Sequence, residues 1–423
     1  MRVIVLGAGV VGSATALALA SRGAEVVLIE RAAEAAAETS HANGAGITPG
    51  HAEPWNTPGI WRQFLPGLGR TDASFRIYPA ALPGLSGWGL RFLLNSRPGR
   101  YFTNARHNTR LAVYSAACLR RWRQDFSLEY EQCTRGSLEL YFDQAELDHA
   151  RRLRETIGNP KIELRQITAA SAVEMEPALE PVAGRIRGVL HFPDHESGDA
   201  CRFAQTVAER AGKTGARLLF DTEVRRIECA GGRFSSVTTD RETLPADACV
   251  VAAGCSSPAL LKPLGLKLPI YPVKGYSLTV NLDGAEGAPR LPLLDLERRI
   301  ITARFGENTL RVAGLADFAG HDYAIHPDRA GYLLDAASAL LPRLEPLLKS
   351  GAPELWTGLR PMTPDGPPLL GPAGPEGIFL NTGHGSMGWT QACGSAEIVA
   401  DLVTGREPAI ELTGLVAARW LRG

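Results

Sequence analysis

"RVIVLGAGVVGSATALALASRGAEVVLIE", Arg2 to Glu30, is the stretch that decides how this chain folds. Five apolar or β-branched positions break at a glycine, a helical run of small residues follows, Gly23 stops it, and a second apolar run begins. Continuous apolar strands of this kind belong to a parallel sheet covered on both faces. Gly7, Gly9 and Gly12 stand in G-x-G-x-x-G order directly after the first strand. Gly7 permits the tight turn, Gly9 lets a pyrophosphate approach the backbone, and Gly12 lets the helix pack on the sheet. The phosphates then face free N–H groups at the positive helix end, beside Val10 and Val11. Glu30 closes the second strand, ahead of Arg31, at the spacing of a carboxylate that accepts hydrogen bonds from a ribose diol. An acid there argues against NADP and leaves FAD and NAD both open.

With 423 residues the chain buries a real core and has room for two domains, or for one with an insertion. Apolar residues make up 45% and charged ones 21%, an ordinary globular composition, and 45 basic residues against 45 acidic ones leave no footprint for nucleic acid. Seven cysteines, an odd number without a C-x-x-C pair, point to free thiols in a reducing compartment and to no metal site. The opening lacks a cleavage pattern and no apolar run is long enough to span a bilayer, so the expected location is cytoplasmic. Peripheral attachment to the inner face of the cell membrane stays open.

Thr57 to Arg100 is rich in Pro, Gly and aromatic residues and reads as an irregular crossing between domains. A helical pattern takes over at Asn108, with Leu111, Tyr114, Ser115, Cys118 and Trp122 on one face, and a second helix is expected from Gln144 to Thr156. Helix, strand and hairpin follow from Gly198, ending in a buried strand at Gly254 beside Ala253. Tyr271 to Gly314 alternates as an antiparallel sheet with one open face does. A helix near Arg329 to Leu341 closes it, and the last sixty residues return to strand, glycine loop and helix.

"ETSHANGAGITPG" (38–50) resembles the segment of the D-amino-acid oxidase-like flavoproteins in which a Ser, an Asn and small residues line the flavin. With "YPVKGYSLTV" (271–280), "WTGLRPMTPDGPPLLG" (356–371), "FLNTGHGSMGWTQACGSAEIVADLVTG" (379–405) and "FPDHESGD" (192–199), the chain resembles the bacterial D-amino acid dehydrogenase family from end to end. That resemblance implies an α/β plus α+β protein: a Rossmann-like FAD-binding domain over 1–85, 193–262 and 358–423, and an interleaved substrate domain with a mixed or antiparallel sheet over 86–192 and 263–357. It further implies non-covalent FAD and oxidation of a D-amino acid by hydride transfer from the α-carbon to flavin N5. The imino acid then hydrolyses to a 2-oxo acid and ammonia, and electrons pass to a respiratory acceptor such as a quinone or a dye-like carrier. Carried over by position, Ser40, Asn43, Gly44 and Ala45 lie by the flavin and Val224 meets the adenine. The chain departs from the family at Gly44, Ala45 and Gly46, at His41, and at Leu296, Glu297, Arg298 and Arg299. These departures keep a D-hydroxyproline or other secondary-amine dehydrogenase or oxidase as the alternative. A non-catalytic nucleotide-binding protein is the reading from another class, and a partner subunit is left open.

A zwitterionic substrate needs a fixed cation for its carboxylate, and Arg360, in "GLRP", is the candidate, against a structural ion pair with Asp365. Tyr271, Lys274 and Tyr276 on the neighbouring strand are further catalytic candidates, or simply a half-buried strand face. "NTGHGSMGWT" (381–390) is a second glycine loop opening a helix. It fits the far end of the cofactor, where reduced flavin carries negative charge, through Gly383, His384, Gly385, Met387, Gly388, Trp389 and Thr390. Within it His384 reads as packing or capping ahead of catalysis, and Met387 and Trp389 as core contacts ahead of ligands. Cys255 and Cys393 read as buried inert thiols.

Overall fold

The computed structural model describes residues 1–61 and 74–421. Arg2–Leu6 and Glu25–Ile29 lie at the heart of a six-stranded sheet, ordered Leu369–Pro372, Ile378–Thr382, Ala248–Val251, Arg2–Leu6, Glu25–Ile29 and Arg217–Leu219. Every neighbouring pair is parallel except Leu369–Pro372 with Ile378–Thr382. Between the first two strands runs the helix Val10–Ala20, buried at every position but Val11. Its alanines, serine and threonine let the helices Ala200–Lys213 and Gly388–Val403 pack against it. A Cβ on Gly12 would sit 1.8 Å from the Gly7 carbonyl oxygen, so this third glycine is what lets helix and strand meet. Gly7 itself holds φ +95°, which only glycine adopts freely.

The second sheet is larger and mixed. It runs Glu354–Met362, Tyr271–Asn281, Thr309–Phe318, Ile300–Phe305, Leu293–Asp295, Ser137–Tyr141, Gly188–Phe192 and Arg165–Ile167, with Phe75–Ile77 paired on Thr309–Phe318. The chain thus has the α/β plus α+β architecture expected of it. Tyr271–Asn281 is buried along almost its whole length, rather than open on one face as its alternation suggests. One side packs on the Pro327–Leu340 helix, and Gly275 and Ala313 on the sheet wall a cavity. Phe75–Ile77 and part of Glu354–Met362 fall in stretches expected to belong to the cofactor domain. We propose the same two-domain division with these two strands counted in the second.

The expected irregular crossing is largely helical where it is described, while its residues 62–73 lie outside the described residues. Leu82–Asn95 is a helix with proline in its first turn, and Pro98–Asp125 is another, starting ten residues before Asn108. Proline is compatible with that first turn, where its missing N–H is not needed. Packing of Leu85, Trp88 and Phe92 then outweighs the glycines between them. No helix among the described residues is long and apolar enough to cross a membrane.

Gly12→Ala is expected to destabilise the protein by about 3 kcal/mol or more, because the clash is with backbone. Gly23→Asn, at φ +80° with nothing within 4 Å, costs about 1 kcal/mol. Calorimetric melting of the two variants separates these outcomes; equal, small shifts would contradict the packing argument.

Candidate active site

One cavity of about 1120 Å³ runs between the two sheets, larger than the roughly 300–1,000 Å³ that suits a drug-sized molecule. Gly7, Gly9, Val10 and Val11 form its wall at one end, with Glu30, Arg31, Val224, Ala253 and Gly254 beside them. Gly12 is not in that wall, and its work is the helix packing described above. Glu30 accepts N–H bonds from Ala8 (2.8 Å) and Ala32 (3.0 Å), which aim its carboxylate at the glycine turn and leave lone pairs over. Arg31 is held on Glu38. Ser40 accepts the Val10 N–H at 3.1 Å, tying the 38–50 segment to the helix start.

The second glycine loop closes the same cavity from another side, through Gly383, His384, Gly385, Met387, Gly388 and Trp389. Gly383 and Gly385 take φ +80° and +57°, turning the chain from the strand Ile378–Thr382 into the helix Gly388–Val403. Thr390 does not reach the wall; its hydroxyl accepts the Thr48 N–H at 3.1 Å. His384 is buried, which pushes its pKa down to about 3 and keeps it neutral. Ser395 donates to the Ala392 carbonyl and so accepts from His384 Nε2 at 3.1 Å, giving the ring a packing role within the helix start. Met387 and Trp389 are both core residues and wall residues.

Asn43, Gly44 and Ala45 line the middle of the cavity. The Asn43 side chain accepts the Ala45 N–H at 2.9 Å, and the Ala45 carbonyl accepts Trp389 Nε1–H at 3.2 Å. A Cβ on Gly44 or Gly46 would lie 3.0 or 2.9 Å from the Ile301 side chain, so the unusual Gly-Ala-Gly lets this segment's backbone lie against that side chain. His41 lies outside the wall, near Trp356. Of the 296–299 turn, Leu296 and Arg299 face the cavity, while Arg298 pairs with Asp295 at 2.8 Å.

Arg360 projects from Glu354–Met362 across Gly275 of the adjacent strand, where a Cβ would come within 2.4 Å of the guanidinium. It donates to the carbonyls of Leu315 (2.9 Å) and Gly314 (3.5 Å) and lies over Trp55 at 5.4 Å. Burial pulls its pKa down to about 10, partly offset by Asp317, so the group stays cationic at neutral pH. It makes no ion pair among the described residues. The alternative partner, Asp365, is taken by Arg419 at 2.7 Å and Trp420 at 2.9 Å.

The neighbouring strand corrects two of its three candidates. Tyr271 packs among Trp88 and Phe318, outside the cavity wall. Lys274 is fully buried and spends its charge on Asp322 at 2.9 Å and on the Ala324 carbonyl, pinning the 319–326 segment. Tyr276 does line the cavity, yet its hydroxyl donates to Asp317 at 3.2 Å, next to Arg329. A register shift between Lys274 and Tyr276 breaks the alternation on which the common assignment rested.

A polar group that the sequence does not announce lines the far arm: His51, Glu53 and Arg154, backed by the buried Glu139. Arg154 pairs with Glu53 and approaches His51 Nδ1 at 2.7 Å, while Glu139 lies 3.1 Å from the same nitrogen. Burial alone opposes the charge on Glu139, but Arg154 and His51 outweigh it and hold its pKa at about 2. Burial likewise opposes the His51 proton, and Glu53 and Glu139 raise its pKa regardless. No local pattern reveals this group, since Glu53 stands 101 residues from Arg154 and Glu139 stands 15 residues from it. Cys255 and Cys393 are free thiols whose pKa values burial raises, Cys255 to about 12.

A family model described as FAD dependent oxidoreductase matches residues 2–402. The chain is 43% identical over 423 residues to a D-amino acid dehydrogenase of Paramagnetospirillum magneticum, with 98% of each chain covered. It is 38% identical to a Vibrio cholerae D-amino acid dehydrogenase, with 99% of each covered. Among solved structures, the L-proline dehydrogenase of P. horikoshii superposes with a TM-score of 0.76 at 18% identity, covering 100% of this chain and 98% of that one. The glycine oxidase of Geobacillus kaustophilus superposes with 0.72 at 23%, covering 99% of each. These two likenesses speak for the fold.

His51 is expected to titrate above about 6.5, the ordinary histidine value. Its contribution to stability is therefore complete below about pH 6.5 and lost as pH rises through the raised value. Glu53→Gln should bring the titration point down. Imidazole NMR reads both, and a wild-type midpoint at or below 6.5 would refute the assignment.

Proposed function

Since the chain belongs to the FAD dependent oxidoreductase family, we propose that the cavity holds FAD along its length and a D-amino acid at the Arg360 end. Its reaction is the FAD-dependent oxidative deamination of D-amino acids, with an electron acceptor completing turnover. The residues fit the cofactor: Gly7 leaves no side chain to crowd the turn, Glu30 has lone pairs left for a ribose, and a second glycine loop faces the same space. When bound, FAD supplies the hydride acceptor. The chain's own residues do the rest. Gly7 to Val11 bind the pyrophosphate and Glu30 the ribose. The start of Gly388–Val403 offers N–H groups and a positive helix end to the negative charge that builds at the flavin end of the site.

The single observation that carries the substrate reading is Arg360, a half-buried guanidinium in the cavity with no carboxylate partner among the described residues. A planar fork fixed by two carbonyls pairs with a substrate carboxylate and limits which enantiomer presents its α-hydrogen to the cofactor. The far arm at His51, Glu53 and Arg154 then receives polar parts of the substrate side chain, and the amine proton leaves to water. The product imino acid hydrolyses to a 2-oxo acid and ammonia. A respiratory quinone or similar carrier is the proposed acceptor.

Purified protein should show a flavin spectrum that D-amino acids bleach without oxygen and L-amino acids do not. A flavin left unbleached by every D-amino acid and cyclic imino acid would sink the reading. Arg360→Lys should raise the apparent KM by about 10- to 100-fold with FAD content unchanged. Gly275→Ala, which pushes the guanidinium aside, should do the same; loss of FAD in both variants would make Arg360 structural.

A further inference from the structure

The far arm of the cavity is walled by groups whose charges cancel. One wall is the helix Gln144–Ile157, which turns Glu146, His149, Leu153 and Arg154 toward it, as positions three and four apart on a helix share a face. At the inner end stand His51 and Glu53, with Glu139 buried behind them. Arg154 holds both Glu53 and Glu139, and His51, with its proton on, is the second cation against these two acids. Farther out, Glu146 is set against Arg299, and Asp295 is taken by Arg298 at 2.8 Å.

Two atoms of the inner group are left over. Glu53 meets Arg154 and His51 through Oε1, and His51 meets Glu139 and Arg154 through Nδ1. Glu53 Oε2 and His51 Nε2 make no hydrogen bond among the described residues, and neither is shut away from the cavity that both residues line. The first is an acceptor and the second, on the protonated ring, a donor. They stand side by side, since Nδ1 and Oε1 of the same two side chains are 3.7 Å apart. Trp55, two residues beyond Glu53, lies under the Arg360 guanidinium at 5.4 Å. Two residues of chain span at most about 7 Å, so the far arm begins within reach of the side chain of a substrate held at Arg360.

We infer that the far arm selects a D-amino acid whose side chain ends in an uncharged group that both donates and accepts, a carboxamide above all, over cationic and anionic side chains. This selection rests on the D-amino acid reading above and fixes the side-chain class that it leaves open. A carboxamide N–H bonds to Glu53 Oε2, and its oxygen accepts the His51 Nε2–H. An added carboxylate meets Glu53 with no cation left over, and an added ammonium meets Arg154 and His51 with both acids already engaged. An aliphatic side chain leaves the two spare atoms unpaired, which a site built for hydrogen bonds rejects strongly. The balance turns on one proton. His51 faces Glu53 on its own segment, Glu139 on Ser137–Tyr141 and Arg154 on the helix, while the neighbouring His195 is buried, accepts the Gly50 N–H and stays neutral. Once His51 gives up its proton, two acids face Arg154 alone, and a cationic side chain then fits where the proton was.

The test is kcat/KM of the purified holoenzyme, with a soluble dye acceptor, for D-glutamine, D-glutamate, D-ornithine and D-norleucine, which are similar in length. At about pH 6, below the His51 midpoint, D-glutamine should lead each of the others by about tenfold or more. As pH rises through that midpoint, D-ornithine should gain about tenfold on D-glutamine, and the α-amines, which titrate nearly alike, cancel from the ratio. His51→Gln keeps a donor without the charge, so it should show the raised ornithine ratio at every pH. A purely structural role for His51 would not move that ratio. Equal values for the four substrates at about pH 6, a lead there for D-glutamate, D-ornithine or D-norleucine, or a wild-type ratio indifferent to pH overturns the inference. Each of these leaves the D-amino acid reading standing, whereas a flavin that no D-amino acid reduces sinks both. Should His51→Gln melt early, the wild-type ranking and its pH dependence decide alone.

Discussion

Arg22 sits where two helices must agree. From the end of Val10–Ala20 it reaches Glu397 at 2.6 Å and Asp401 at 2.7 Å on Gly388–Val403, all three side chains largely buried. Asn381, on the strand Ile378–Thr382 that leads toward the second helix, adds a contact by donating to Thr15, midway along the first, at 2.8 Å. Held side by side in this way, the two helices open their N-termini on the same cavity, although their sequences lie nearly the whole chain apart. Everything else about the site follows from that. The strand between them fixes how far apart the glycine loops stand, and the second sheet has only to supply a roof and a cation. A buried ion pair is a poor source of net stability, but breaking one partner is costly, which suits a contact whose role is register.

Much of this was legible in the sequence, and the reasons are local. Gly7, Gly9 and Gly12 carry their spacing with them, and Glu30 follows at the end of the next strand. The loop at 381–390 reads as a helix start for the same reason. What failed to read was set by tertiary pairing. Lys274 looks like a site residue because strands alternate, and a register shift next to it cancels the alternation. His51, Glu53, Glu139 and Arg154 come from separate segments, and only the fold gathers them. The helix Leu82–Asn95 hides behind prolines and glycines that ordinarily mark a loop, and its own packing overrules them.

The cavity is electrically divided. Near Arg360 there is one cation with no acid paired to it among the described residues, while at His51 two acids and two basic groups hold each other. An incoming zwitterion therefore meets an open charge at one end and a closed network at the other. On the proposed reading its carboxylate goes to the open charge, and its side chain meets groups already engaged. The Gly-Ala-Gly segment against the Ile301 side chain lines the same cavity without adding a charge of its own.

Arg360 also bears on timing. A free arginine side chain has many rotamers, and immobilising it takes up to about 2 kcal/mol of entropy. Here the loss occurs on folding, when the guanidinium is laid over Gly275 and tied to the Gly314 and Leu315 carbonyls. Leu315 itself is held at φ +62°, a conformation leucine seldom adopts, so part of the strain of the arrangement sits in the backbone. The encounter with a small anion then finds a receptor already frozen in place. For a ligand with few atoms, that rigidity is the difference between selecting one orientation and tolerating several.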